Sequence, residues 1–153
     1  MGFLPIPRFR TYLGATTEGL GRGGDVRVEA DHVLLDGDGS FAAIEAETSG
    51  SGDAGSITLE ATDIELNGGA GIFAGSSGTG LAGQIFIKAL DNLRLVNGSQ
   101  ISVATTQVDA GNITLEVGDL LHLRKGSGIT TSVAGGTGKG GEHHPQFCFR
   151  RAR

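Results

Sequence analysis

The chain carries one cysteine, three prolines, one tyrosine and no tryptophan, and only 19% of its residues are charged. A single cysteine, Cys148, excludes an internal disulfide and any cysteine-based zinc cluster. No basic stripe is visible along the chain before its last few residues, and the formal net charge is −5. That balance argues against a nucleic-acid backbone as the main partner. No apolar run approaches the length of a membrane-spanning helix. The opening residues, Met1 to Arg10, do not read as a signal peptide, because two early prolines interrupt them and no basic segment precedes a long apolar stretch.

Glycine, by contrast, is abundant: 28 of 153 residues, more than twice the ordinary share of about 7%. Collagen is excluded because the glycines do not recur at every third position. A flexible linker is excluded because Val, Ile and Leu recur between the glycine clusters in short alternating runs. What survives is a repeat fold with a glycine-rich turn in every unit.

Four segments share an anchor of glycine, one polar residue and alternating aliphatics. They are Gly24-Asp25-Val26-Arg27-Val28, Gly55-Ser56-Ile57-Thr58-Leu59, Gly83-Gln84-Ile85-Phe86-Ile87 and Gly111-Asn112-Ile113-Thr114-Leu115, with anchor glycines 31, 28 and 28 residues apart. Two further alternating pairs follow each anchor, such as Ile64/Leu66 and Ile72/Ala74, or Leu93/Leu95 and Ile101/Val103. Alternation with period two gives each unit three short strands with one face inward. Clusters such as Asn67-Gly68-Gly69 and Asn97-Gly98-Ser99 separate them and supply the backbone freedom of sharp corners. About three extra residues near Phe41 account for the one longer spacing.

Equivalent positions lie a whole unit apart, whereas hairpin strands would pair with their sequence neighbours. Stacking the units places Ile57 over Val26, Ile85 over Ile57 and Ile113 over Ile85. The expected fold is therefore all-β, a right-handed parallel β-helix (solenoid) of about four coils of roughly 28 residues, with three parallel sheets around one apolar interior. A propeller would need a period nearer 40 residues. A solenoid end needs a polar cap, and no cap-like helix is readable at either end, so neighbouring β-helix coils are expected at both open ends.

Several motifs imitate functional sites. Gly19-Leu20-Gly21-Arg22-Gly23-Gly24 matches the dinucleotide pattern, but a strand follows it where a helix is required, so a turn is the better reading. Gly138-Lys139 lacks the rest of a phosphate loop. Asp36-Gly37-Asp38-Gly39-Ser40 with Glu47 resembles a calcium loop, yet Phe41 stands where the bend needs glycine. Asn97 and Asn112 open glycosylation sequons, His143-His144 lack further spaced metal ligands, and His32 and His122 read as outward strand positions. β-Helix lyases and hydrolases need clustered carboxylates, or a basic residue beside calcium ligands, on an outer face. The outward positions here are mixed, with Thr58, Phe86 and Thr114 on one sheet and Glu65, Arg94 and His122 on the next. No catalytic, cofactor-binding or metal residues are assigned, no cofactor is expected, and the chain is not expected to be an enzyme.

Ala82-Gly83, Asn97-Gly98-Ser99-Gln100-Ile101-Ser102 and Ala110-Gly111-Asn112-Ile113-Thr114-Leu115 resemble the repeats of large bacterial exoproteins of the filamentous haemagglutinin type. The version common in cyanobacterial two-partner-secretion proteins is the nearest in pattern. The likeness spans about residues 14–141. Ala15-Thr16-Thr17 looks like the tail of a preceding unit, equivalent to Ala104-Thr105-Thr106. This resemblance implies a β-helical rod exported through an outer-membrane secretion barrel, placed at the cell surface or secreted, and meeting a surface or carbohydrate ligand in adhesion. It implies no catalytic residues. The chain departs from the family in its size and in showing neither a signal peptide nor an N-terminal secretion domain.

The organisation expected is an irregular N-terminal segment over 1–13, repeats over 14–141 and a non-repeat basic tail over 142–153. In the tail, basic and aromatic residues stand where a fifth strand is due. One codon set for Gly141 to Gln146, GGG GAA CAT CAC CCT CAA, reads Gly-Asn-Ile-Thr-Leu one base later, matching Gly111 to Leu115. The tail is on this reading out of frame and the chain a fragment of a longer one. The expected function is a repeat segment of an adhesin-like exoprotein with a structural or binding role. Its alternatives are a fragment of a carbohydrate-active β-helix enzyme and a gene fragment without function.

Overall fold

The computed structural model describes residues 10–38, 40–135 and 143–147, with side chains described over 12–38 and 40–135. The chain winds as β1 (Arg10–Gly14), β2 (Val26–Asp36), β3 (Phe41–Glu45), β4 (Ile57–Asn67), β5 (Gly71–Phe73), β6 (Ile85–Leu95), β7 (Gln100–Thr105), β8 (Ile113–Val117), β9 (Leu120–Leu123), β10 (Gly128–Val133) and β11 (His143–Phe147). One sheet runs β1-β3-β5-β7-β10; the other runs β11-β8-β6-β4-β2, with β9 also on β6. Every pairing is parallel. This is a parallel β-solenoid of about four turns.

The pairing follows the anchors of the repeat: Val26 lies against Ile57, Ile57 against Ile85, and Ile85 against Ile113. Three extra residues in the first coil fall between Leu35 and Ala43, since Leu35 pairs with Leu66 and Ala43 with Gly71. The inward side chains close into one core that includes Ile57, Leu59, Ile64, Leu66, Ile72 and their equivalents in the third coil. Each such aliphatic contributes about 1.5–3 kcal/mol of burial before the entropy of ordering is subtracted.

The three-sheet expectation needs correction. The first two short strands of a unit run as one strand of 11 residues in β2, β4 and β6, so pairing defines two sheets. The reason is visible in β4, where Ile57, Leu59 and Ala61 are buried and burial resumes at Ile64 and Leu66. Shifting the alternation by one residue keeps the apolar face inward around the bend without breaking the ladder. A bulge between Ala61 and Asp63 lets β6 carry one more residue at that corner. Only the fourth coil divides there, into β8 and β9 around Gly118 and Asp119.

At the two ends, β1 overlaps the 1–13 segment and pairs with β3, and β11 lies within the 142–153 segment and pairs with β8. An edge strand offers unpaired backbone groups to any extended chain, so strand addition there depends on backbone more than on side chains. Residues 1–9, 136–142 and 148–153, with Cys148 and Gly138-Lys139, lie outside the described residues, as do the side chains of His143 and His144.

At the third corner a column of hydroxyl residues, Thr17, Thr48, Ser76 and Thr105, joins successive coils through single bridges. Ser76 Oγ donates to the Gly80 carbonyl at 2.6 Å and Thr105 Oγ1 to the Val108 carbonyl at 2.5 Å. These bonds satisfy polar groups that burial would otherwise leave without partners.

Candidate functional site

Past the bend, β2, β4, β6 and β9 present their outward side chains in register. His32 lies beside Asp63, Asp63 beside Asn92 and Asn92 beside Leu120. One step along, Leu34, Glu65, Arg94 and His122 form a second column. The columns stand about 7 Å apart along the strand, and coils about 4.8 Å apart across it. His32 and His122 thus point outward, as their alternation predicted.

These columns line a shallow groove in two connected parts. The first, about 390 Å³, runs past His32, Asp63, Glu65, Asn92 and Arg94. The second, about 240 Å³, shares Glu65 and Arg94 and continues past Asn97, His122, Arg124 and Lys125. In the first part Asp63 is clamped on both sides. Its Oδ1 accepts from Asn92 Nδ2 at 2.7 Å, and its Oδ2 lies 3.3 Å from His32 Nδ1. The second part is rich in positive charge, and Arg94, Arg124 and Lys125 make no ion pair among the described residues.

Reading the chain linearly missed this patch. Arg94 and His122 are 28 residues apart, one coil, and become neighbours only by stacking. Arg124 and Lys125 follow immediately and turn the corner beside them. The linear chain shows no basic stripe before its last residues, but the fold assembles one from Arg94, His122, Arg124 and Lys125. The signal that could have found it was the coincidence of Arg94 and His122 at equivalent repeat positions.

A second constellation lies on the outer face of the other sheet. Ile44 and Ala46 point inward, so Glu45 and Glu47 point outward. Glu45 pairs with Phe73 in the ladder. A Cβ on Gly75 would stand 3.4 Å from Glu47 Oε1, so the Glu47 carboxyl lies over the glycine of the next coil. Burial there raises the Glu47 carboxyl above the usual carboxylate range, and the charge of Glu45 raises it further. The sequence reading gave Glu47 only to the calcium-loop imitation and did not pair it with Glu45.

The imitations resolve into structure. Asp36 Oδ1 accepts from the Asp38 backbone N–H at 3.0 Å, and Asp36 Oδ2 accepts from Asn67 Nδ2 at 3.3 Å. Asn97 Nδ2 continues the ladder by donating to Asn67 Oδ1 at 2.7 Å. The Asp36 carboxylate thus serves the turn and the coil contact, and among the described residues no group of three His, Cys, Asp or Glu is placed to hold a metal. The dinucleotide-like run begins glycine columns: a Cβ on Gly50 would meet the Gly19 carbonyl oxygen at 2.2 Å, and one on Gly52 the Gly21 oxygen at 2.0 Å. Those glycines are there for close approach of coils.

No family model, no curated protein and no solved structure matches this chain. The fold and the two outer-face constellations are therefore what carries its functional reading.

Proposed function

We propose that the chain is a repeat segment of a bacterial surface or secreted exoprotein, with a structural and binding role and without catalysis. The groove spanning all four coils, with cations that have no partner among the described residues, is the observation that carries the binding role. Its exporting and adhesive setting rests on the resemblance to filamentous haemagglutinin-type repeats, best seen at residues 82–132. In that setting the parent protein passes an outer-membrane secretion barrel, and the rod winds right-handed, the hand that parallel crossovers take. Neighbouring coils are the partners proposed for both ends, where the inward positions Leu13 and Leu123 remain 51% and 39% exposed. A net charge of −5 speaks against nucleic acid as a partner. Antibody against the chain, applied to intact and to permeabilised cells that carry the gene, tests the placement. Labelling of intact cells supports it; labelling confined to permeabilised cells sinks it.

One observation favours a second reading, a carbohydrate-active β-helix. Glu45 and Glu47 are outward carboxyls two residues apart on one strand end, Glu47 is raised above the usual carboxylate range, and glycoside cleavage uses a pair of carboxyls. Release of reducing ends from polysaccharide by the chain, lost in Glu47→Gln, would establish it. Its absence across acidic and neutral polysaccharides leaves the non-catalytic role.

A further inference from the structure

Among the described side chains there are six lysines and arginines: Arg22, Arg27, Lys88, Arg94, Arg124 and Lys125. They fall into two sets. Arg22 is paired with Asp25 at 3.0 Å, Arg27 with Glu29, and Lys88 with Glu60 at 3.4 Å. Arg94, Arg124 and Lys125 have no side-chain partner among the described residues, and all three line the same 240 Å³ part of the groove together with His122. Even Glu65, the ladder neighbour of Arg94, forms no ion pair with it. In a chain of net charge −5, every described cation outside the groove is neutralised locally, and every described cation within it is without an ion pair among the described residues.

We infer that this end of the groove binds an acidic polysaccharide, a sugar chain bearing carboxylate or sulfate groups. The inference deepens the binding role proposed above and rests on it. Arginine's planar fork matches the paired oxygens of a carboxylate or sulfate, and Arg94 and Arg124 hold two such forks on successive coils. Lys125 adds a third charge from a left-handed backbone position (φ 54°) that the sister coils give to Gly68 and Asn97. The adjoining part of the groove suits the uncharged remainder of a sugar. Asp63 and Asn92, already fixed by their mutual hydrogen bond, offer acceptors and donors to hydroxyls, and the exposed Leu34 offers an apolar face to ring C–H groups. A nucleic acid fits less well. The groove is lined by no Phe, Tyr or Trp on which successive bases could stack.

Titration calorimetry on the full chain tests this with four probes: polygalacturonate for carboxylate, chondroitin sulfate for sulfate, dextran as a neutral sugar polymer, and single-stranded oligo-dT. Binding of polygalacturonate or chondroitin sulfate, weakened by added salt and absent with dextran, is expected, and the tighter of the two names the anionic group. Arg94→Gln with Arg124→Gln and Lys125→Asn should weaken that binding by roughly tenfold or more. Arg27→Gln with Lys88→Gln should leave it unchanged. Should the triple variant lose its β circular-dichroism signal, Arg94→Gln alone, an outward change on β6, serves in its place and should weaken binding several-fold. The proposal is overturned by failure to bind either acidic polymer, by equal binding of dextran, by tighter binding of oligo-dT, or by variants that bind like the unaltered chain. Failure here would leave the surface placement standing, since that is read by labelling intact cells.

Discussion

Gly111 lies on Gly83 so closely that a Cβ on Gly111 would stand 1.8 Å from the Gly83 carbonyl oxygen. The same holds one coil down, where a Cβ on Gly83 would meet the Gly55 oxygen at 1.8 Å, and again where one on Gly55 would meet the Gly24 oxygen at 1.9 Å. The anchor of the repeat is thus a column of backbone contacts that no side chain can enter.

Position in a column should decide what an added methyl does. Gly52→Ala would place its Cβ 2.0 Å from the Gly21 oxygen, while at Gly21 nothing lies within 4 Å. Gly52→Ala is expected to destabilise by about 1–3 kcal/mol or more, as overpacking does, and Gly21→Ala to change little. Thermal melts of the two variants check this. Equal melting temperatures would mean that the coils do not approach as closely as described.

Stability should be concentrated in the middle coils. Leu66 is fully buried, whereas Leu123, also an inward position, is 39% exposed in the last coil. Leu66→Ala should cost about 2–5 kcal/mol, the usual range for a buried leucine, and Leu123→Ala well under half of that. Denaturant melts of both variants measure the contrast. A Leu123→Ala cost as large as that of Leu66→Ala would show the end coil to be covered.

Much of this fold was legible because a solenoid writes its contacts into the sequence at a fixed offset. Ile57, Ile85 and Ile113 announce one another, and the turns between Leu66 and Gly71 or Leu95 and Gln100 carry their own asparagines and glycines. What was not legible follows from the same physics. The bend at Thr62-Asp63 looks like a strand break in the hydrophobic pattern, but backbone pairing tolerates the change of phase, so two strands became one. The basic groove was hidden because its charges belong to different coils. Glu47 gave no sign because its burial comes from what Gly75 lacks, one coil away.

The backbone register bears on the reading frame of the tail. β11 pairs His143 with Ile113, His144 with Thr114 and Pro145 with Leu115. Read one base later, the codon set given for Gly141 to Gln146 encodes Ile-Thr-Leu at those same three positions, which would repeat Ile113, Thr114 and Leu115 in place. The coding DNA is therefore expected to yield Gly-Asn-Ile-Thr-Leu in the shifted frame beginning at codon 141. Sequencing the gene settles it, and codons that give any unrelated string in that frame end the idea.

Glu47 should make stability depend on pH in a defined direction. Its carboxyl is raised above the ordinary value of 4.5, chiefly by burial and secondarily by Glu45. A carboxyl with a raised folded-state value binds its proton more tightly folded than unfolded, so its contribution is fully present below the ordinary carboxylate range and is lost as the pH rises through the raised value. At neutral pH the fold therefore holds an ionised group that burial disfavours. Glu47→Gln removes that charge while keeping the shape, and the variant should melt higher than the unaltered chain at pH 7. The advantage should shrink as the pH falls toward 4, where both carry a neutral side chain. Melting curves across that range provide the measurement, and an advantage for Glu47→Gln that is the same at both ends would show that the gain came from something other than the buried charge.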